Sequence, residues 1–346
     1  MVAPFVHDAP SQRVVFGPDS IARVADEAAR FGASRSLVIA TPGSGARLGA
    51  RVADLLGTAC AGLHAEAVMH VPRSVAAGGV TAAREARADL LVSVGGGSAI
   101  GLAKAIAHET GLPILAIPTT YAGSEVTTIF GLSEGEQKVV SRDPKVLPRT
   151  IIYDPALTVG LPAATTAASG MNAVAHCVEA LWVAERTPVT SAFAAEALRL
   201  FVPQLPRAVA DGSDVTARGD CLVASWLAGA ALSAGTGLHH KLAHVLGGFG
   251  LPHAETHAII LPHVTRFNLA KAPDVAERLA AAFGGRDPAA TLEAMLQGFP
   301  IPQRLRDVGF SRAKIESAAL QIDALGITVP RPATADDVRT LLTSAF

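Results

Sequence analysis

In the first half of the chain, apolar positions fall in short β-branched runs separated by helical stretches; in the second half they recur almost entirely with helical spacing. Arg13-Val14-Val15-Phe16, Ser36-Leu37-Val38-Ile39-Ala40, Asp89 to Val94 and Pro113-Ile114-Leu115-Ala116-Ile117 each predict a strand. Between them, a helix is predicted from Ile21 to Ala29, opened by Pro18-Asp19-Ser20 and closed at Gly32, and another from the Gly95-Gly96-Gly97-Ser98 turn to His108. Val126 to Phe130 and Lys138 to Arg142 predict a hairpin, and Thr150-Ile151-Ile152-Tyr153 a last strand ending at Asp154-Pro155. Strands alternating with helices imply a parallel sheet joined by crossover helices. Beyond Pro162 strand signals are scarce, and segments such as Ser191 to Leu205 and Ala217 to Ala234 read as helices. The expected fold is an α/β domain over residues 1–159 followed by an all-helical domain over residues 160–346.

Composition narrows the classes. A chain of 346 residues is long enough for two domains, each with its own core. Half the residues are hydrophobic, yet no apolar run reaches the roughly 18 to 20 residues of a membrane span. The N-terminus, Met1 to Asp8, has no basic region leading into an apolar core, so no secretory signal is expected. A soluble cytoplasmic protein without a membrane partner follows. The 29 basic and 30 acidic residues form no basic run, which argues against nucleic acid. Cys60, Cys177 and Cys221 have no paired spacing and are expected to be buried thiols.

Two glycine clusters stand at strand ends, where backbone N–H groups can approach a pyrophosphate without a Cβ in the way. Gly95-Gly96-Gly97-Ser98 follows an apolar strand and opens a helix, and three consecutive glycines are more than an ordinary turn needs, so it is read as a phosphate loop. Gly43-Ser44-Gly45-Ala46-Arg47-Leu48-Gly49 misses the G-x-G-x-x-G fingerprint by one position and is equally an ordinary strand–helix turn. Thr119, Thr120 and Ser124 form a hydroxyl-rich loop that lines the same cofactor or caps the segment from Val126.

The densest chemistry is histidine. Six of the eleven histidines lie between His239 and His263. Asn172 and His176 are four apart, as are His240 and His244, so each pair shares a helix face, and His253 follows the Gly247-Gly248-Phe249-Gly250 break and can fold back toward them. His239, about 100° round the helix from His240, is assigned a structural role. The pattern is that of a divalent-metal site with a neutral amide, Asn172, where a carboxylate is wanted. Glu179, three residues after His176, is either its orienting partner or a solvated acid.

The glycine loop, Thr119-Thr120-Tyr121-Ala122-Gly123-Ser124-Glu125, Asp154-Pro155 and the Asn172/His176/His240/His253 set together resemble the iron-containing alcohol dehydrogenase family, and more closely its maleylacetate reductase branch. The resemblance runs from Arg13 into the C-terminal helices. It implies the dehydroquinate synthase-like architecture, a dinucleotide-binding domain with a parallel sheet and a helical catalytic domain, with a cleft between them and a homodimer. It also implies NADH or NADPH held by Thr41, Gly95, Gly96, Gly97, Ser98, Thr119, Thr120, Ser124, Asp154 and Leu157. In metal-using members the positions matching Asn172, His176, His240 and His253 are an aspartate and three histidines. Asparagine here leads to the expectation that no metal is required. Thr41 stands where NAD-specific relatives carry an aspartate, so both nicotinamide cofactors are expected.

The implied reaction is reduction of the carbon–carbon double bond of maleylacetate to 3-oxoadipate in the degradation of aromatic compounds. Asn172, His176 and His240 would hold the enolate oxygen, and His244 or His253 would supply the proton. The two carboxylates of such a substrate call for Tyr121, Thr120, Lys241 and Arg142, although the last two are equally read as solvated charges. The competing readings are a metal-dependent alcohol or polyol dehydrogenase that uses iron or zinc, and a non-catalytic NAD-binding sensor.

Overall fold

The computed structural model describes residues 4–8, 11–134 and 137–346, so the first three positions read for an export signal lie outside the described residues. The chain forms two compact units, residues 9–161 and Pro162–Phe346, the second including the residues up to Asp8. The division comes two residues later than the sequence boundary. Pro155–Thr158 is a single 3-10 turn capped by Asp154, the Leu161 N–H donates to the Thr158 carbonyl at 2.9 Å, and Pro162 opens the first helix of the second unit.

The first unit contains strands β1 (Arg13–Phe16), β2 (Ser36–Ile39), β3 (Cys60–His64), β4 (Leu90–Gly95), β5 (Ile114–Pro118), β6 (Ile129–Glu134), β7 (Gln137–Arg142) and β8 (Thr150–Tyr153). Its helices are α1 (Val24–Ala29), α2 (Ser44–Leu56), α3 (Arg73–Glu85) and α4 (Gly97–Thr110). Six strands form one parallel sheet in the order β1-β8-β5-β4-β2-β3, and β6 and β7 pair as the predicted hairpin. The helix expected from Ile21 is split: Asp19 is in the left-handed region at φ 60, and a 3-10 turn over Ser20–Arg23 precedes α1.

β2, β4 and β5 are buried at every position, as parallel strands covered on both faces must be. Alternate residues of β2 reach opposite layers. Val38 packs with Val52 and Leu56 of α2, whereas Leu37 and Ile39 pack with Ala76 and Val80 of α3 and Leu102 and Ile106 of α4. The neighbouring strands β2 and β4 therefore send their following helices to opposite faces of the sheet. That arrangement is a topological switch point, and it opens a crevice at the carboxyl ends of the strands, where open α/β sheets bind nucleotides.

The second unit is built from α5 (Ala163–Ala180), α6 (Pro188–Ala210), α7 (Val215–Ala231), α8 (Leu238–Gly247), α9 (His253–Leu269), α10 (Pro273–Ala282), α11 (Pro288–Gly298), α12 (Ile315–Asp323) and α13 (Ala335–Ala345), with no strand among its described residues. α5 is buried all round from Thr166 to Ala180, which makes it the central helix of the unit. Gly170 lets α6 lie close against it, since a Cβ there would come within 2.5 Å of Leu205 Cδ1. Cys177 and Cys221 are buried free thiols, and Cys60 is a half-buried one. Among the described residues no single helix is long and apolar enough to cross a membrane.

Candidate active site

Three helices of the second unit each contribute a pair of residues four apart: Asn172 and His176 from α5, His240 and His244 from α8, His253 and His257 from α9. Four-residue spacing stacks each pair on one helix face. Ring contacts then link the helices. His176 stacks on His240 with centroids 5.0 Å apart, His240 meets His244 at 6.4 Å, and His244 stacks on His253 at 6.1 Å. The predicted histidines are thus brought together. Asn172, His176 and His240 are 6%, 6% and 5% exposed, His253 is half-buried and His244 is exposed.

Glu179, one turn beyond His176 on the same helix, organises the cluster. Its partner is not His176, as the short spacing suggested, but α8, some sixty residues further along the chain. Oε1 accepts the His239 N–H at 2.8 Å, and Oε2 accepts the His240 N–H at 3.4 Å and makes a short contact with His240 Nδ1. The carboxylate therefore caps the first turn of α8, where its charge faces the positive end of the helix. It also accepts a hydrogen bond from His240 Nδ1–H and leaves Nε2 to act. Burial pushes Glu179 above the usual carboxylate range and holds His176 and His240 below the usual imidazole range, so the rings are neutral at rest.

Asn172 Oδ1, His176 Nδ1 and His240 Nε2 are buried without a hydrogen-bond partner among the described residues. Buried polar groups ordinarily have partners, and unpartnered ones gathered in one place mark a site that a ligand completes. His257 belongs to this set, although the sequence reading passed over it. It is fully buried, both ring nitrogens are unpartnered, and its ring lies 4.3 Å from His253 and 4.6 Å from His240. Its signal was available as the same four-residue step from His253. His239, read as structural, is fully buried and donates from Nε2 to the His257 carbonyl at 3.0 Å.

Of the four positions that would form an iron site, one lacks the usual carboxylate. Asn172 offers a neutral amide, and Glu179 is occupied by α8 and His240. Among the described residues, the His, Cys, Asp and Glu atoms that gather within 4.8 Å of one another are from His239, His240 and His257, a trio without His176 or His253.

The first unit carries the nucleotide loops. Gly95 ends β4 at φ +139, and α4 starts at Gly97, which is exposed and has nothing within 4 Å of where a Cβ would stand. A Cβ on Gly96 would lie 2.7 Å from Thr120 Cγ2, and the Thr119 N–H donates to the Gly95 carbonyl at 3.1 Å, so the loops after β4 and β5 form one surface. Ser98, Thr119, Thr120 and Ser124 are half-exposed along it. These features suit a pyrophosphate at a helix N-terminus. In the loop after β2, Thr41 lies over Gly45, where a Cβ would collide with its Oγ1. Gly49 allows Leu63 and Ala40 to pack closely, the helix–strand role of the third glycine in the fingerprint.

Lys104, on α4, locks this surface from below. Its ammonium group is fully buried and donates to the carbonyls of Ser124, Thr127 and Ile129 at 2.6, 2.7 and 2.8 Å. Glu125 is buried beside it and accepts the Tyr153 hydroxyl at 2.5 Å.

Two sequence assignments are corrected, those of Asp154 and Tyr121. Asp154 is a structural cap, not a cofactor contact: its carboxylate accepts N–H groups of Asp19, Ile21 and Ala156 at 3.0–3.1 Å. Leu157 is half-buried against the sheet core, which leaves its cofactor assignment standing as an expectation. Tyr121 is fully buried with its hydroxyl donating to Thr158 Oγ1 at 3.3 Å, so it supports the loop from inside and offers no surface to a substrate. Arg142 is an exposed residue at the end of β7, and Lys241 is half-buried on α8.

A nucleotide-loop sheet and a buried histidine cluster on a helical unit define an oxidoreductase, and comparison identifies the class. Residues 10–155 match iron-containing alcohol dehydrogenase and residues 166–346 match the C-terminal part of the Fe-containing alcohol dehydrogenase family. The chain belongs to the iron-containing alcohol dehydrogenase family. Within it, the chain is 44% identical over 343 residues to the maleylacetate reductase of Sphingobium indicum, covering 99% of this chain and 97% of that one. It is 47% identical over 339 residues to maleylacetate reductase 2 of Cupriavidus pinatubonensis, covering 96% and 94%. The crystal structure of maleylacetate reductase from Agrobacterium tumefaciens superposes with a TM-score of 0.95 at 43% identity, covering 99% and 98%.

Proposed function

We propose that the chain is a maleylacetate reductase, reducing the carbon–carbon double bond of maleylacetate to 3-oxoadipate with NADH or NADPH in aromatic-compound degradation. The observation that carries the reading is full-length similarity to maleylacetate reductases, joined to a catalytic cluster with an amide at position 172. Gly95, Gly96, Gly97, Ser98, Thr119 and Thr120 would hold the dinucleotide, whose reduced nicotinamide supplies the hydride.

The residues of the helical unit handle the charge and the proton. Hydride arriving at the alkene carbon beta to the ketone sends an electron pair onto the carbonyl oxygen, and Asn172 and His176 bring neutral hydrogen-bonding groups to an almost dry surface that can stabilise it. His240 is held in register by Glu179, so a proton taken up at Nε2 faces a carboxylate across the ring. His244 and His253, more open to solvent, then deliver the proton to the alpha carbon. No step calls for a metal. On the same reading the chain works as a homodimer, for which the sheet-edge strand β1 offers exposed Val14 and Phe16.

The test is oxidation of NADH by chelator-treated protein with freshly generated maleylacetate. Full turnover without metal is expected. Turnover restored only by iron or zinc, with alcohols as substrates, would return the protein to the metal-dependent dehydrogenases.

A further inference from the structure

The cluster contains a second arrangement, which shares only His240 with the reduction. One ring nitrogen each from His239, His240 and His257 lies within 4.8 Å of the others, and all three side chains are buried. Two of the rings have their other nitrogen fixed. His239 Nε2 must carry a hydrogen, because it lies 3.0 Å from the His257 carbonyl, which can only accept. His240 Nδ1 is likewise directed at the Glu179 carboxylate. A neutral imidazole has one N–H and one lone pair, so the lone pairs fall on His239 Nδ1 and His240 Nε2, and both are unpartnered. His257 has two unpartnered nitrogens of its own.

Unpartnered imidazole nitrogens gathered in a dry interior lack a positive centre. Histidines whose remote N–H groups are held by a carboxylate and by a backbone carbonyl are oriented as metal ligands are. Three imidazoles with no oxygen ligand suit zinc or cobalt better than magnesium or calcium. A tetrahedral zinc site needs nitrogens about 3.4 Å apart, from Zn–N bonds of about 2.1 Å, so loading would have to draw the trio together from its present separation of up to 4.8 Å.

We propose that His239, His240 and His257 form a buried site for one divalent transition-metal cation of the zinc or cobalt type, with a ligand set distinct from the Asn172/His176/His240/His253 positions. Such an ion occupies His240 Nε2, so on the reading of function given above it and proton exchange at that nitrogen exclude each other. The loaded protein is then the inactive form.

Cobalt(II) binding to chelator-stripped full-length protein tests the site without any substrate, so its outcome is separate from that of the reductase assay. One equivalent is expected, with visible d–d absorption of a nitrogen-rich site. His239→Ala and His257→Ala should each weaken binding on the order of 100-fold or more, and Glu179→Gln by about 10–100-fold. His176→Ala and His253→Ala should change it less than about threefold. Loss of binding in those two with retention in the first two, or no binding by the wild type, overturns the proposal. Because His239 and His257 are core residues, anomalous diffraction from cobalt-soaked wild-type crystals gives a second decision. Density within bonding distance of the trio supports the site, and density on His176 and His253, or none in the cluster, refutes it.

Discussion

Glu179→Gln is the substitution that most directly probes how this cluster is held. The native carboxylate is acceptor-only and faces donors on both sides: the His239 N–H on Oε1, and the His240 ring N–H and backbone N–H on Oε2. An amide has one accepting end. Whichever way it is turned, its NH2 group confronts either the His239 N–H or the His240 Nδ1–H, and one buried donor loses its acceptor. The cost is about 1–3 kcal/mol, the desolvation penalty of an unsatisfied buried group. Glu179→Ala strips all three donors and should cost about 3–5 kcal/mol, comparable to breaking a buried ionic pair. Turnover should fall about 10–100-fold in the Gln variant, the usual effect of losing a partner that orients an active-site histidine. Urea unfolding followed by tryptophan fluorescence suits the stability arm, since Trp182 and Trp226 are the only tryptophans and both lie in the helical unit. A Gln variant within about 0.5 kcal/mol of wild type, the range of neutral surface changes, with undiminished turnover, would refute the reasoning.

Lys104→Met keeps the length of the side chain but removes an ammonium group that serves three buried carbonyls and stands beside Glu125; a loss of about 3–5 kcal/mol is expected in thermal or urea unfolding, and a loss below about 1 kcal/mol would show that the charge is dispensable. Gly96→Val places carbon atoms against Thr120 and should raise the KM for NADH about tenfold or more while the tryptophan-monitored stability of the helical unit is unchanged; an unaltered KM would remove this loop from the cofactor site. Burial depresses the pKa of His176, His239, His240 and His257, so the unfolded chain takes up protons first and stability, full above about pH 6.5, falls as the pH drops below that value. Each group contributes a slope of up to about 1.4 kcal/mol per pH unit. Over the unit below pH 6.5 the unfolded imidazole goes from about half to about nine-tenths protonated, so each histidine loses about 1 kcal/mol and the four together about 4 kcal/mol. Glu179, raised by burial, offsets part of this, leaving a net loss of roughly 3 kcal/mol between pH 6.5 and 5.5. Unfolding free energies that are flat over that interval would contradict the buried neutral cluster.

How far the chain could be read in advance depended on whether a signal was local. The Gly95-Gly96-Gly97-Ser98 loop was legible because an apolar strand, a glycine run and a helix start are all written within a few residues. β3, Cys-Ala-Gly-Leu-His, was not: it is an edge strand without β-branched residues or alternation, and pairing to β2 alone gives it its conformation. Asp154 and Tyr121 were misread for a shared reason. A polar side chain beside a strand-end turn satisfies either a ligand or the protein's own backbone, and only the fold shows that Asp154 meets three N–H groups and that Tyr121 points inward. Glu179 illustrates the limit most clearly, because its partner on α8 is invisible to any helical spacing rule. His257, by contrast, was within reach of the rule already applied to His240 and His244.

The arrangement of charge explains why an amide can stand at position 172 without loss of the fold. α5 is buried on every side, so an ionised group on it must be answered by a nearby donor or cation. Glu179 meets that condition through the first turn of α8 and the ring of His240. A second carboxylate two turns earlier on the same face would need a cation of its own, and among the described residues no lysine or arginine is ion-paired into the cluster. Asn172 therefore keeps shape and hydrogen-bonding capacity without adding a second buried anion beside the one that α8 and His240 already hold by hydrogen bonds. The same carboxylate that caps α8 fixes His240 for chemistry, so helix formation and preorganisation of the site are one event in the folding of the helical unit.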